Sequence, residues 1–174
     1  MNDREFLSHK SLLIENFFRH GFLFELTQYL LLRNPPVFVT ILNAEVDDSG
    51  VDLVLNCGSV TRHIQMKTLN KNHAPNPYHI AKTLFLLPGG CVIWTIYDKE
   101  KLSISAYHIY GEKGNEKISP DKQQVGATRK KNGEVVSRPG YVHVKTGEAD
   151  RKGLKIGELA DYLFDLSDKI EEIS

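Results

Sequence analysis

Residues 51–67 constrain the fold of this chain more tightly than any other stretch. Val51 to Leu55 and Val60 to Lys67 each alternate apolar and polar side chains, the period-two signature of a strand with one buried face. Gly58-Ser59 lies between them. A glycine-led pair joining two such runs suits a two-residue hairpin turn with glycine at positive φ. That turn fixes the register: paired positions sum to 117, and Asp52 falls opposite Gln65. Lys67 shares the face of Gln65 one pleat further on. Asp52, Gln65 and Lys67 are therefore expected on one surface, and Val51, Leu53, Leu55, Ile64 and Met66 on the other.

The flanking chain supplies layers for this hairpin. Leu12, Leu13, Phe17, Phe18, Phe22, Phe24, Leu26, Tyr29, Leu30 and Leu32 recur at helical spacing. Gly21 predicts a break, giving helices over about 4–20 and 22–33. Asn34-Pro35-Pro36 ends the second, because proline forces its predecessor into extended backbone. Val37 to Val46 is β-rich, and Asp47-Asp48-Ser49-Gly50 turns the chain into the hairpin. Beyond an Asn/His/Pro-rich loop, Tyr78 to Leu87 reads as a short helix stopped by Pro88-Gly89-Gly90. Cys91 to Tyr97 is nearly all apolar, as a strand buried on both faces requires. Leu102 to Ile109 alternates again. The polar stretch 111–147 is expected to hold a hairpin pairing Glu134–Ser137 with Tyr141–Lys145. Ile156 to Ile170 carries the apolar stripe of an amphipathic helix. The expected architecture is α/β, a mixed central β-sheet flanked by helices on both sides. It forms a single domain over 1–174, with a helical segment at 1–33, a sheet core at 37–109, a polar loop or hairpin insertion at 111–150 and a C-terminal helix at 155–172.

Composition narrows the class. A chain of 174 residues, 41% hydrophobic and 25% charged, can bury one substantial core. No apolar run reaches membrane length, and Met1-Asn2-Asp3-Arg4-Glu5 lacks a secretory start. The two cysteines, Cys57 and Cys91, build no disulfide framework and no zinc spacing. A reduced cytoplasmic compartment is the expectation. Net charge is zero, which excludes an indiscriminate polyanion binder. Yet residues 113–155 hold eleven Lys/Arg against five Asp/Glu. Arg129, Lys130, Lys131, Arg138 and Lys145, with Tyr141, are thus candidate nucleic-acid contacts; scattered solvated lysines are the alternative.

Asp52, Gln65 and Lys67 join a carboxylate, an amide oxygen and an ammonium at one end of a hairpin. Mg²⁺ takes hard oxygen ligands completed by water and phosphate, so Asp52, the Gln65 amide oxygen and the Met66 carbonyl form a candidate ligand set. Lys67 is then placed to offset charge on a phosphorane. The structural alternative makes Asp52 a turn cap and Gln65 and Lys67 the solvent side of a strand. Taken in order, Glu25 in Gly21-Phe22-Leu23-Phe24-Glu25, Asp52 in Gly50-Val51-Asp52-Leu53-Val54, and Ile64-Gln65-Met66-Lys67 resemble the PD-(D/E)xK nuclease superfamily, the restriction-endonuclease-like fold. Gln65 stands where the usual acid precedes the lysine, a QxK variant similar to that of Mrr-type endonucleases, and Val51 stands in place of the proline. The resemblance covers about residues 20–97. It implies a Mg²⁺- or Mn²⁺-dependent endonuclease acting on DNA, with RNA as the alternative substrate. Glu25, Asp52, Gln65 and Lys67 would be its catalytic residues, Glu25 holding a second metal or orienting a metal-bound water. It also implies a homodimer. Two other classes stay open: a non-catalytic module of that fold binding nucleic acid or protein, and an oligomeric partner protein using the aromatic N-terminal helix.

Overall fold

Chain order in the computed structural model is α1 (Asp3–Leu31), β1 (Thr40–Asn43), β2 (Leu53–Cys57), β3 (Val60–Asn70), β4 (Tyr78–Ala81), α2 (Lys82–Leu86), β5 (Gly90–Asp98), β6 (Ser103–Tyr110), β7 (Gly126–Lys131), β8 (Glu134–Val144), β9 (Arg151–Leu154) and α3 (Ile156–Phe164). Residues 3–43, 50–72, 77–122, 126–131 and 134–166 are described, those at 3–11, 43, 126–131 and 134 by backbone alone. Six strands form a mixed sheet in the order β1-β2-β3-β5-β6-β9. Only β3 and β5 are parallel neighbours in it. A parallel pair needs a crossover, and the β4–α2 segment lies within it. Among the described residues no helix is long and apolar enough to cross a membrane.

The hairpin forms at the register its turn dictates, from Leu53↔Ile64 to Cys57↔Val60, with Gly58 at φ 59°. One face of the sheet buries Leu53, Leu55, Ile64, Ile93 and Ile109 against Phe22, Leu26 and Leu30 of α1 and Leu159, Leu163 and Phe164 of α3. The other face buries Val92, Trp94 and Ile96 against Leu84 and Phe85 of α2. As expected, β5 is thus covered on both sides.

Several expectations need correction. Gly21 does not break α1, which runs unbroken to Leu31. A Cβ there would stand 3.3 Å from the Ile104 Cδ1, so glycine serves the close approach of helix to β6. Its propensity deficit of about 1 kcal/mol is outweighed by the burial of Phe18, Phe22, Leu26 and Leu30, each contributing roughly 1.5–3 kcal/mol. The expected helix at Tyr78–Leu87 is strand over its first four residues and helix only from Lys82. Tyr78 to Ala81 pairs with β8, and tertiary pairing overrides local propensity there. Glu134–Ser137 and Tyr141–Lys145 do not pair with each other: all but Lys145 lie in one strand, β8, whose hairpin partner is β7. The second sheet, β4-β8-β7, supplies Ile80, Val142 and Val144 to the core, so that face is covered mainly by strands. β9 escaped the pattern because Arg151-Lys152-Gly153-Leu154 has a single apolar residue. α3 stops at Phe164, with Asp165 left-handed at φ 54°; residues 167–170 of the expected helix lie outside the described residues.

Gly90 shows how tightly α2 is set on β5. A Cβ at this position would lie 2.1 Å from the Leu84 carbonyl oxygen and 3.1 Å from that of Leu87, both backbone atoms. Gly90→Ala is expected to cost at least about 3 kcal/mol, the upper end of overpacking. At Gly140 a Cβ meets nothing within 4 Å, and Gly140→Ala should change stability by less than about 0.5 kcal/mol. Urea midpoints of the two variants check this contrast.

Candidate active site

The site is built where β3 outruns β2. The β2–β3 ladder ends at Leu53↔Ile64, while β3 continues beside β5 as far as Asn70↔Tyr97. No described strand pairs with the other edge of β3 beyond Ile64. Asp52 takes up that edge: its N–H donates to the Ile64 carbonyl at 2.9 Å, and its Oδ2 accepts the Met66 N–H at 2.6 Å. Asp52 and Leu53 thus both face Ile64, the two-against-one arrangement of a β-bulge, which re-aims side chains. This rephasing corrects the expected face of Val51, which is buried with Trp94 and Ile80 rather than with Leu53. A strand residue's N–H and C=O leave by the same edge, so the Met66 carbonyl also faces the Asp52 side.

Asp52, Gln65, Met66, Lys67 and Thr68 line one cavity of about 410 Å³, together with Val51 and with Leu12, Glu15, Asn16 and Arg19 of α1. Four sequence-predicted residues are therefore brought together. Gln65 is 6% exposed, and its buried Oε1 has no hydrogen-bond partner among the described residues. It is one of several such atoms, with Arg62 Nε and Nη2, Trp94 Nε1, Thr95 Oγ1 and His143 Nε2, and the one among them that belongs to this cavity lining. Gly50, at φ 66°, lets the backbone pass close by: a Cβ there would be 2.4 Å from the Ala81 Cβ and 3.4 Å from the Gln65 Nε2. The cavity joins two carboxylates, Glu15 and Asp52, with two cations, Arg19 and Lys67. Among the described residues no three His, Cys, Asp or Glu side chains group as a metal cluster. The oxygen donors here are two carboxylates, an amide and a carbonyl, a hard set suited to Mg²⁺ rather than to zinc.

Glu25 is not brought there. Its Oε2 accepts the Tyr107 hydroxyl at 2.8 Å, beside a separate cleft of about 130 Å³ that includes Ile104 and Lys155. Burial, reinforced by the Glu25 carboxylate, pushes the Tyr107 hydroxyl far above its ordinary range. The physical reason is the straight helix. Ten residues separate Glu25 from Glu15, about 15 Å of rise and roughly 80° of rotation. Glu15, Asn16 and Arg19 were missed in the sequence, although i, i+3 and i, i+4 spacing places them on one helix face.

The other candidates lie elsewhere. Arg138 donates to His79 Nδ1 at 2.9 Å and lies 4.2 Å over the Tyr141 ring, so it is engaged within the small sheet. Arg129, Lys130 and Lys131 are on β7, where only the backbone is described. Asp47, Asp48 and Ser49 of the expected turn lie outside the described residues. No known family, curated protein or solved structure matches the chain.

The Asp52–Met66 bond separates a structural from a chemical role. Asp52→Ala strands the Met66 N–H and is expected to cost about 1–3 kcal/mol. Asp52→Asn keeps an acceptor while removing the charge, and should restore all but about 1 kcal/mol of that loss. Chemical denaturation of both variants reads the difference.

Proposed function

We propose that the chain is a Mg²⁺- or Mn²⁺-dependent phosphodiesterase that cleaves DNA, with a restriction-endonuclease-like core. The observation carrying this reading is the unpartnered Gln65 Oε1, buried in the wall of the cavity shared by the Asp52 carboxylate and Lys67. A buried acceptor with no protein donor is met by water or by a cation, and Asp52 and the Met66 carbonyl edge would complete a hard oxygen set around a cation here. Asp52, Gln65 and Met66 would hold the ion, with Glu15 rather than Glu25 as the helix carboxylate. Such an ion supplies polarisation of the phosphodiester and a lowered pKa for the attacking water. Lys67 offsets the negative charge that gathers on the non-bridging oxygens as the phosphorane forms. Glu15 orients the attacking water and accepts its proton. The DNA substrate and the homodimer rest on the resemblance of Asp52 and Gln65-Met66-Lys67 to the nuclease motif.

A second reading is favoured by the neutrality of Gln65. One carboxylate fewer weakens metal affinity, and a non-catalytic module binding nucleic acid is the outcome if it is too weak.

Supercoiled DNA incubated with Mg²⁺ or Mn²⁺ distinguishes the two. Wild type is expected to nick or linearise it, and chelator to stop the reaction. Asp52→Asn and Lys67→Ala should lose about 10²-fold or more of the rate. Glu15→Gln should lose about 10²-fold or more, while Glu25→Gln stays within about threefold of wild type. Gln65→Glu should tighten Mn²⁺ binding in calorimetry. Retarded DNA without cleavage supports the binding module. Absence of divalent-ion binding by both wild type and Gln65→Glu would sink the hydrolase.

A further inference from the structure

Arg19 lines the cavity from α1, one helical turn from Glu15, and no role has yet been assigned to it. Its Nη2 donates to the Asn16 side-chain oxygen, a neutral partner that orients the guanidinium. A half-buried arginine that lines a cleft and is held by an amide offers its remaining N–H donors in the planar fork that matches a phosphate.

Charge balance says how many phosphates. Glu15 and Asp52 together carry −2, and Arg19 and Lys67 carry +2, so the lining is formally neutral. One divalent ion brings +2. A single phosphodiester leaves the filled cleft at +1, whereas two bring it to zero. The volume of about 410 Å³ far exceeds the roughly 30 Å³ share of one water and leaves space for more than one phosphate.

We propose that Arg19, steadied by Asn16, binds a second phosphate adjacent to the one under attack, so that the cleft takes two consecutive phosphates of a polynucleotide strand. The inference rests on the phosphodiester reading of the same cavity. Arg19 is a binding residue here and Asn16 a positioning residue.

The test compares two ligands, a trinucleotide with two internucleotide phosphates and a dinucleotide with one. Affinities are measured by calorimetry on the full chain with Ca²⁺, a divalent ion that also takes oxygen ligands. Wild type should bind the trinucleotide about tenfold or more tightly, with a salt slope about one phosphate contact steeper. In Arg19→Gln that preference should fall to within about twofold, and Arg19→Lys should recover part of it by restoring charge without the fork. Asn16→Ala should weaken the preference less than Arg19→Gln does. Circular dichroism of each variant excludes misfolding as the cause. Equal affinities in wild type, or a preference that Arg19→Gln retains, would overturn the proposal. A protein that keeps the Arg19-dependent preference yet hydrolyses no DNA would retain this inference and lose the hydrolase.

Discussion

The Asp52 carboxylate stands in for a missing strand. β3 pairs with β5 from His63 to Asn70, and past Ile64 its other edge has lost β2. An unpaired N–H at a buried edge costs about 1–3 kcal/mol, and the Asp52 Oδ2 answers it at Met66. The same bond fixes the carboxylate at the mouth of the cavity. One interaction therefore closes the ladder and positions an acid beside Gln65. On the proposed reading, stability and chemistry share a residue here.

The hairpin can hold that geometry because its far end is stitched down. Arg62 is wholly buried, and its Nη1 donates to the carbonyls of Glu112 and Gly114. Asn115 accepts the Thr61 N–H at 2.8 Å and donates to the Ser59 carbonyl at 2.8 Å. The Gly89 N–H reaches the carbonyls of Asn115 and Glu116. The loop after β6 thus grips the hairpin tip from one side and the start of β5 from the other. A buried guanidinium is expensive unless its donors are met; two carbonyls meet Nη1, while Nε and Nη2 have no partner among the described residues. The Cys91 thiol is pushed up by burial, with Arg62 opposing that shift.

How much of this could be read in the sequence depended on whether the signal was local. Gly58-Ser59 set the β2–β3 register because a two-residue turn leaves no freedom, and the apolar run at Cys91–Tyr97 marked β5 because a doubly buried strand has no polar side. Where partners were distant, the pattern misled. Gly21 looks like a helix break until Ile104 is seen against it. Tyr78–Ala81 has no strand signature of its own and becomes β4 only by pairing with Val144–Tyr141. Arg151–Leu154 is polar because an edge strand need bury little. The site divides in the same way. Asp52, Gln65 and Lys67 are linked by one hairpin and were found together, although the bulge that aims Asp52 was not foreseen. The helical carboxylate depended on how a 29-residue helix crosses the sheet, which no local pattern encodes.

Gln65 is the point at which fold and chemistry meet most narrowly. Its neighbours on the sheet are apolar: Val92 is its partner on β5, and both Val92 and Trp94 on that face are buried. A glutamate in this position would bring a charge into a wall with few donors, and a buried carboxylate without partners is neutralised rather than kept. An amide occupies the wall without that penalty and still offers an oxygen. The consequence is a cleft whose formal charge is zero before anything enters it, since Glu15 and Asp52 balance Arg19 and Lys67. A neutral cleft holds a divalent ion weakly by itself and more firmly when anionic phosphates arrive with it. On the proposed reading, ion and strand would then bind together, each supplying the charge that the other needs.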